Sequence, residues 1–246
     1  EAVNLGITPA PRLILAGRPM AIIGGHLSYF GIEATGEDEC RAHVRQLVKE
    51  GADFIKITAT GGTTQTSFPY RPSFTLKEMQ AITDEAHKFG KSVAAHCASS
   101  QGIINALDSE VDTLIHCYFC EPDSTFKYQP TIAERIASSG TWVNPTLYQA
   151  KRSATVLEDL VSNSLATTAQ VQELDQTRQR HDYAISYTSK MVEQGAKLVA
   201  GSDSAWSHYK MGGFHYEIAA HVDAGLSPMQ AIVSATRDSA RSCNTD

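Results

Sequence analysis

The sequence has 246 residues, of which 42% are hydrophobic and 20% charged, a composition typical of one globular domain rather than of a disordered or fibrous chain. Its 21 Lys and Arg residues against 27 Asp and Glu residues give a net charge of −6. Basic residues do not cluster, which argues against nucleic acid or an anionic membrane as a partner. No apolar run is long enough to span a bilayer. The sequence starts at Glu1 without a signal-peptide pattern, so we expect a cytoplasmic protein unless an upstream signal is removed.

Six short apolar runs are typical of strands in a buried parallel sheet. They cover residues 12–16, 54–58, 92–95, 113–115, 141–143 and 197–200. A seventh run, at 20–23, is ambiguous and is followed by two glycines. Helical patterns fill the intervals between the runs, and this alternation of strands and helices predicts an α/β fold.

Capping signals mark where several helices begin. Thr75 and Glu78 form a capping box in front of an apolar stripe that stops at Gly90. Ser227, followed by Pro228, predicts the start of a helix that runs to about residue 241. Two more helices are predicted over 38–50 and 130–139, and a glycine follows each of them.

The segment 150–194 is unusually long for a connection without a strand. Its apolar residues recur at helical spacing, with a break near 162–164. One interpretation is an ordinary crossover helix with an insertion. The other is a helical lid over the mouth of an active site, because long insertions of this kind are often functional. The pattern favours neither.

Polar side chains stand at the carboxyl ends of four predicted strands. Lys56 lies inside an apolar run, His96 and His116 each follow one, and Asp203 comes shortly after the run at 197–200. If the sheet is a barrel, these ends meet at one face, where barrel enzymes place their active sites. Two imidazoles and a carboxylate suit zinc or a similar divalent ion. A buried lysine that reacts with carbon dioxide gives a carbamate whose two oxygens can bridge two metals.

These residues and the segments around them resemble the amidohydrolase superfamily, in particular its prolidase-like and imidazolonepropionase-like branch. Lys56, His96, His116 and Asp203 resemble the ligands at the ends of the fourth, fifth, sixth and eighth barrel strands of that family. The segments that carry the resemblance include Gly51-Ala-Asp-Phe-Ile-Lys-Ile, Val143-Asn-Pro-Thr146 and Gly201-Ser-Asp203. The resemblance implies a (β/α)8 TIM barrel.

The resemblance also implies that the barrel is incomplete here. The family carries a His-x-His pair at the end of its first strand, and this sequence contains no such pair. Aligned on its ligands, the chain begins just before strand three and stops soon after strand eight. We therefore expect residues 1–246 to form a single, partial catalytic barrel domain of a longer enzyme. A reduced barrel that pairs its edges with another copy, as a homo-oligomer, is the alternative.

By resemblance, the protein is a metal-dependent hydrolase that acts on a small-molecule substrate through a metal-bound hydroxide. The bond is an amide-like C–N bond, as in a dipeptide, amide, carbamate, urea or cyclic amide. The implied cofactors are one or two divalent metal ions, with zinc the first choice, and carbon dioxide held as the Lys56 carbamate. Asp203 would be the catalytic acid–base. Four more residues are candidates for substrate contacts: His26, Tyr148, His208 and His215.

Two other functions stay open. In the first, Lys56 forms a Schiff base in a metal-free barrel enzyme, which leaves both strand-end histidines and Asp203 without a role. In the second, the absent His-x-His pair makes the chain a catalytically incomplete amidohydrolase-like barrel that is inactive as it stands.

Overall fold

The fold is built on one β-sheet. A computed structural model describes residues 2–3, 5–205 and 211–245. The strands in this part of the chain are β1 (Met20–Ala21), β2 (Ile32–Glu33), β3 (Ile55–Thr58), β4 (Val93–Ser99), β5 (Thr113–Cys120), β6 (Trp142–Asn144) and β7 (Lys197–Leu198). They pair in the order β2-β1-β3-β4-β5-β6-β7, and every pair is parallel. Among the described residues nothing pairs β2 with β7, so the sheet is open.

Helices follow most of the strands. They are α1 (Glu37–Lys49), α2 (Leu76–Lys88), α3 (Ser100–Asp108), α4 (Pro130–Ser139), α5 (Tyr148–Ser162), α6 (Thr168–Glu193), α7 (Phe214–Asp223), α8 (Pro228–Ala235) and α9 (Arg237–Ser242). Helices α1 to α4 pack side by side in chain order. None of the helices in the described ranges combines the length and apolarity that a membrane crossing needs.

The main core lies between the sheet and these helices. Ile55 and Ile57 of β3 are fully buried in it, together with Met79 and Ile82 of α2. Successive side chains of a strand point to opposite faces, so Lys56, between the two isoleucines, points away from this core. The same alternation applies to β4, where Ala95 and Cys97 belong to the core and His96 lies between them.

The capping signals in the sequence correctly predicted where several helices begin. Thr75 accepts a hydrogen bond from the Glu78 amide, and the Glu78 carboxylate accepts one from the Thr75 amide, as a capping box requires. Helix α4 occupies the predicted 130–139 and ends at Gly140, which adopts a left-handed conformation. The break expected near 162–164 separates α5 from α6, and these two helices pack against each other.

The prediction of a strand at 12–16 was wrong. This run forms no strand, and the side chains of Leu13 and Leu15 are about half exposed. Leu15 instead makes two hydrogen bonds with Asp53, in which the Asp53 amide donates to the Leu15 carbonyl and the Leu15 amide to the Asp53 carboxylate. The ambiguous run at 20–23 contains β1, and β2 was not predicted at all.

The helix predicted from Ser227 to about residue 241 is two helices, α8 and α9. The break falls at Thr236, whose φ of −126° and ψ of −91° are not helical. The Ser234 carbonyl accepts from the Ala200 amide and from the Ser239 hydroxyl instead of continuing a helical ladder. Contact with the segment after β7 therefore interrupts the helix.

Candidate active site

Three histidine rings form one cluster on the sheet face opposite the core. The ring centroids of His26 and His96 are 4.6 Å apart, and those of His96 and His116 are 4.7 Å apart. All three side chains are buried. Lys56 is within electrostatic range of the cluster, because its charge contributes to the lowered pKa of each histidine. Asp203 in turn raises the pKa of Lys56, so the structure brings the four proposed ligands and His26 into one region.

His96 lies within β4 rather than at its last residue, because β4 continues to Ser99 through a register shift against β5. Its Nε2 is 3.0 Å from the Gly61 carbonyl oxygen. A carbonyl can only accept, so Nε2 carries the proton and Nδ1 is left with a lone pair. Burial first, and then the charges of His116 and Lys56, hold the pKa of His96 well below its ordinary value. The ring is therefore neutral near pH 7.

His116 likewise lies inside its strand, β5, which continues to Cys120. Its Nδ1 is 2.7 Å from the Thr146 hydroxyl. If Nδ1 donates to the Thr146 hydroxyl oxygen, Nε2 of His116 is left unprotonated. Burial, reinforced by the charge of Lys56, lowers the pKa of His116 to about 3.

Lys56 and Asp203 are both partly buried. Burial lowers the pKa of Lys56 to about 8, although Cys97 and Asp203 act in the opposite direction. Burial also raises the pKa of Asp203, against the charge of Lys56, which lowers it. The amide of Gln149, at the start of α5, donates to Asp203 at 3.1 Å. Lys56 thus has an amine that is easily deprotonated, and Asp203 has a carboxylate held by a neutral partner.

His26 is fixed by the loop that follows β3. The Thr64 amide donates to Nδ1 of His26 at 3.4 Å, and the Thr64 hydroxyl is 3.1 Å from the same nitrogen. With Nδ1 as the acceptor, the proton of the neutral ring is on Nε2. Burial lowers the pKa of His26 to about 4. Gly62 packs against this ring so closely that a Cβ there would lie 2.5 Å from the ring atoms Cδ2 and Nε2.

Two of the other proposed substrate contacts, Tyr148 and His215, are not in the histidine cluster. Tyr148 is the first residue of α5 rather than part of a loop, since the helix begins directly after Leu147, and its ring stacks on Tyr216 at 4.7 Å. His215 is exposed, and its ring contacts Tyr216 at 4.0 Å. His208 lies outside the described residues. Tyr118, which sequence reasoning did not select, stacks on His116 with centroids 5.3 Å apart.

The backbone is strained at the same place. His116, Thr146 and Asp203 have positive φ values of 75°, 50° and 47°. Residues other than glycine rarely adopt positive φ values. Such conformations persist only when the surroundings enforce them, and they concentrate at functional sites. No pattern in the sequence predicts this strain, and Thr146 stands out there only as part of a segment that resembles the family.

The donor chemistry of these residues fits a metal ion. Neutral histidines that give their second N–H to an oxygen partner are the usual metal-binding form. His96 is in that form, and His116 adopts it when its Nδ1 donates to the Thr146 hydroxyl. Across the described residues, however, no three His, Cys, Asp or Glu side chains stand close enough together to hold a metal on their own. A three-ligand site built from the described residues therefore needs Lys56 as well, which can bind only after it is carboxylated.

Comparison with known proteins agrees with the resemblance. The sequence model of the Amidohydrolase family matches residues 1–246. The ochratoxinase of Aspergillus niger is 23% identical, over 96% of this chain and 51% of its own length. A Xaa-Pro dipeptidase solved with methionine in its active site superimposes with a TM-score of 0.79 and 26% identity, over 99% of this chain and 60% of the other. A molinate hydrolase shares the fold, with a TM-score of 0.71 and 17% identity, over 99% of this chain and 59% of the other.

The chain spans about half the length of the curated ochratoxinase that it matches. The open seven-stranded parallel sheet and the likeness to these structures confirm the predicted α/β fold class, a TIM-type barrel that is incomplete in this chain.

Proposed function

The chain belongs to the amidohydrolase family, and on that premise we propose that it hydrolyses an amide-like carbon–nitrogen bond of a small molecule with the help of a divalent metal. The observation that carries this proposal is the pair His96 and His116. Each ring has one nitrogen hydrogen-bonded to an oxygen partner, the Gly61 carbonyl or the Thr146 hydroxyl, and we propose that the other nitrogen carries the lone pair that binds the metal. Such a pair has little use in a metal-free hydrolase, but it supplies two oriented ligands to a metal.

We propose zinc as the ion, because imidazole and carboxylate ligands suit it. His96 through Nδ1, His116 through Nε2 and a carbamate on Lys56 would hold it. When bound, it would polarise the substrate carbonyl and lower the pKa of the attacking water.

Lys56 is suited to become that carbamate. With a pKa of about 8, about a tenth of the amine is neutral at pH 7, a fraction far larger than for an exposed lysine. The neutral nitrogen adds to the carbon of carbon dioxide and loses a proton, which replaces an ammonium by an anionic group with two oxygens. The product would remove the positive charge that now faces three histidines.

Asp203 and His26 would handle the proton and the developing charge. Asp203 would take the proton of the attacking water and return it to the leaving nitrogen, and its raised pKa brings it closer to the range of a useful base. His26 keeps a proton on Nε2 because Nδ1 accepts from the Thr64 amide. That N–H would donate to the carbonyl oxygen of the substrate as it becomes negative.

The test is the zinc content of four purified proteins: the wild type, Lys56→Ala, His116→Ala and the control His43→Ala. His43 lies in α1 and pairs with Glu39, away from the site. After incubation with zinc and bicarbonate, then dialysis, we expect about one zinc ion per chain in the wild type and the control. Lys56→Ala and His116→Ala should lose most of it. Equal zinc in all four proteins would contradict the proposal.

Hydrolysis assays on dipeptides, N-acyl amino acids, carbamates and ureas would identify the substrate class. The same samples, treated with borohydride and a carbonyl compound, distinguish the Schiff-base alternative. A reduced adduct on Lys56, with no zinc in the wild type, would favour that alternative over metal-dependent hydrolysis.

A further inference from the structure

Glu217 in α7 is a buried acid that the proposed reaction does not use. Its side chain is fully buried. One carboxylate oxygen accepts from the Leu147 amide at 2.8 Å and the other from the Tyr148 amide at 2.7 Å. These amides open α5, and Leu147, at the N-cap position, offers no capping side chain of its own. Glu217 therefore caps a helix that is 69 residues away in the sequence.

No lysine or arginine of the described chain pairs with Glu217. The nearest basic group is His221 in the same helix, whose Nε2 is 3.6 Å from one carboxylate oxygen. His221 has its other ring nitrogen 3.1 Å from the Ser234 hydroxyl. A buried carboxylate is costly without a cation, and a neutral amide or hydroxyl can cap a helix at lower cost. A charged acceptor at this position calls for a role beyond capping.

The capped amides come directly after Thr146. This residue is buried, has a φ of +50° and is β-branched, a combination that only firm surroundings maintain. The Thr146 hydroxyl is the partner of Nδ1 of His116. Two short charge-assisted hydrogen bonds on the next two amides are strong enough to hold Thr146 in place.

We propose that Glu217 is a positioning residue of the active site, which acts through Thr146 to hold His116 in one ring tautomer with Nε2 bare. This inference rests on the proposed function, because orienting His116 matters only if His116 binds a metal. The series of contacts from Glu217 to Thr146 to His116 can nevertheless be tested without metal. Residues that orient the ligands of a metal commonly affect its affinity by about 10-fold to 100-fold.

The first test measures the His116 ring in the metal-free protein labelled with 15N-histidine. The wild type should show one tautomer, protonated at Nδ1. In Glu217→Gln, the amide NH2 faces a backbone N–H and breaks one of the two bonds, so His116 should populate both tautomers. Hydrogen exchange should accelerate at Leu147 and Tyr148. Glu217→Asp keeps the charge but moves the carboxylate oxygens away from the two amides. Its His116 tautomer populations should lie between those of the wild type and Glu217→Gln, and it replaces the Gln variant in this test if that variant does not fold.

The second test measures zinc affinity, with Glu85→Gln as the matched control. Glu85 is another nearly fully buried glutamate, but it lies in α2 among arginines. We expect Glu217→Gln to bind zinc at least about tenfold more weakly, and Glu85→Gln to bind it as the wild type does. Thr146→Val should weaken zinc binding to a similar extent, and the double variant should be little worse than either single one, because both changes act through His116.

Three results would overturn the inference. They are an unchanged His116 tautomer in Glu217→Gln, the same loss of affinity in the Glu85→Gln control, or fully additive losses in the double variant. If the wild type binds no zinc, the proposed function fails, and the tautomer measurement still decides the role of Glu217.

Discussion

Replacing Gly62 by alanine should damage the site through a single side chain. The new Cβ would lie 2.5 Å from Cδ2 and Nε2 of His26 and 2.6 Å from Cγ, whereas ordinary contacts begin near 3.4 Å. The backbone of Gly62 does not have the positive φ that would itself oppose alanine. The whole effect of Gly62→Ala should therefore come from the collision with the imidazole ring.

The size of the loss in stability and activity depends on how firmly the His26 ring is held. To relieve the contact, the ring must move by about 1 Å, an overpacking that typically costs about 1–3 kcal/mol. His26 cannot swing away without losing its contacts to Thr64 on one side and to the His96 ring on the other. We expect the free energy of unfolding to fall by about 1–3 kcal/mol, and kcat/KM to fall at least about tenfold if His26 contacts the substrate.

A double-mutant cycle checks this reasoning. In a His26→Ala background the ring is gone, and Gly62→Ala should then be neutral or stabilise the protein by about 0.4–1 kcal/mol, since alanine has less freedom in the unfolded chain. Urea unfolding of the four proteins, followed by fluorescence and circular dichroism, gives the coupling energy. If Gly62→Ala costs the same with and without the His26 ring, the collision is not the cause.

Two further changes test parts of the fold away from the site. Thr75→Ala removes the capping hydroxyl of α2 and should lower the free energy of unfolding by about 1 kcal/mol, measured by urea denaturation. Glu85→Gln should destabilise the protein at neutral pH, because a hydrogen bond from Arg45 lowers the pKa of the Glu85 carboxyl. A lowered pKa in the folded state stabilises above the unfolded pKa and not in acid. The difference between Glu85→Gln and the wild type should therefore shrink as the pH falls below about 4.5, and a difference that grows in acid would contradict this account.

The helices could be predicted from sequence because their signals are local. Thr75 and Glu78 are three residues apart, and the left-handed Gly140 directly follows the helix that it ends. Strands carry no comparable signal, since a strand exists only where a partner lies beside it. The run at 12–16 is as apolar as a strand, yet among the described residues no strand pairs with it, whereas Ile32 and Glu33 form β2 because the backbone of β1 lies alongside.

The residues of the candidate site also fall into two groups, those that could be selected from the sequence and those that could not. Lys56, His96 and His116 could be selected from sequence because a polar residue in or after an apolar run is visible in the run itself. Their partners could not, because each partner acts through a backbone atom or a bond to a distant segment. Gly61 contributes only a carbonyl oxygen to His96, and any residue has one.

Glu217 shows where this limit lies. In the sequence it is one acid in a helical segment, and most acids in such segments face water. Its burial results from the packing of α7 beside the start of α5, where Leu147, Ala220 and Ala224 form a small apolar cluster. Its two partners are first-turn amides of α5, which a helix leaves for acceptors outside its own hydrogen-bond ladder. The proposed ligands can thus be selected from the residue types in and after apolar runs, whereas their orientation depends on contacts that exist only once the helices have packed.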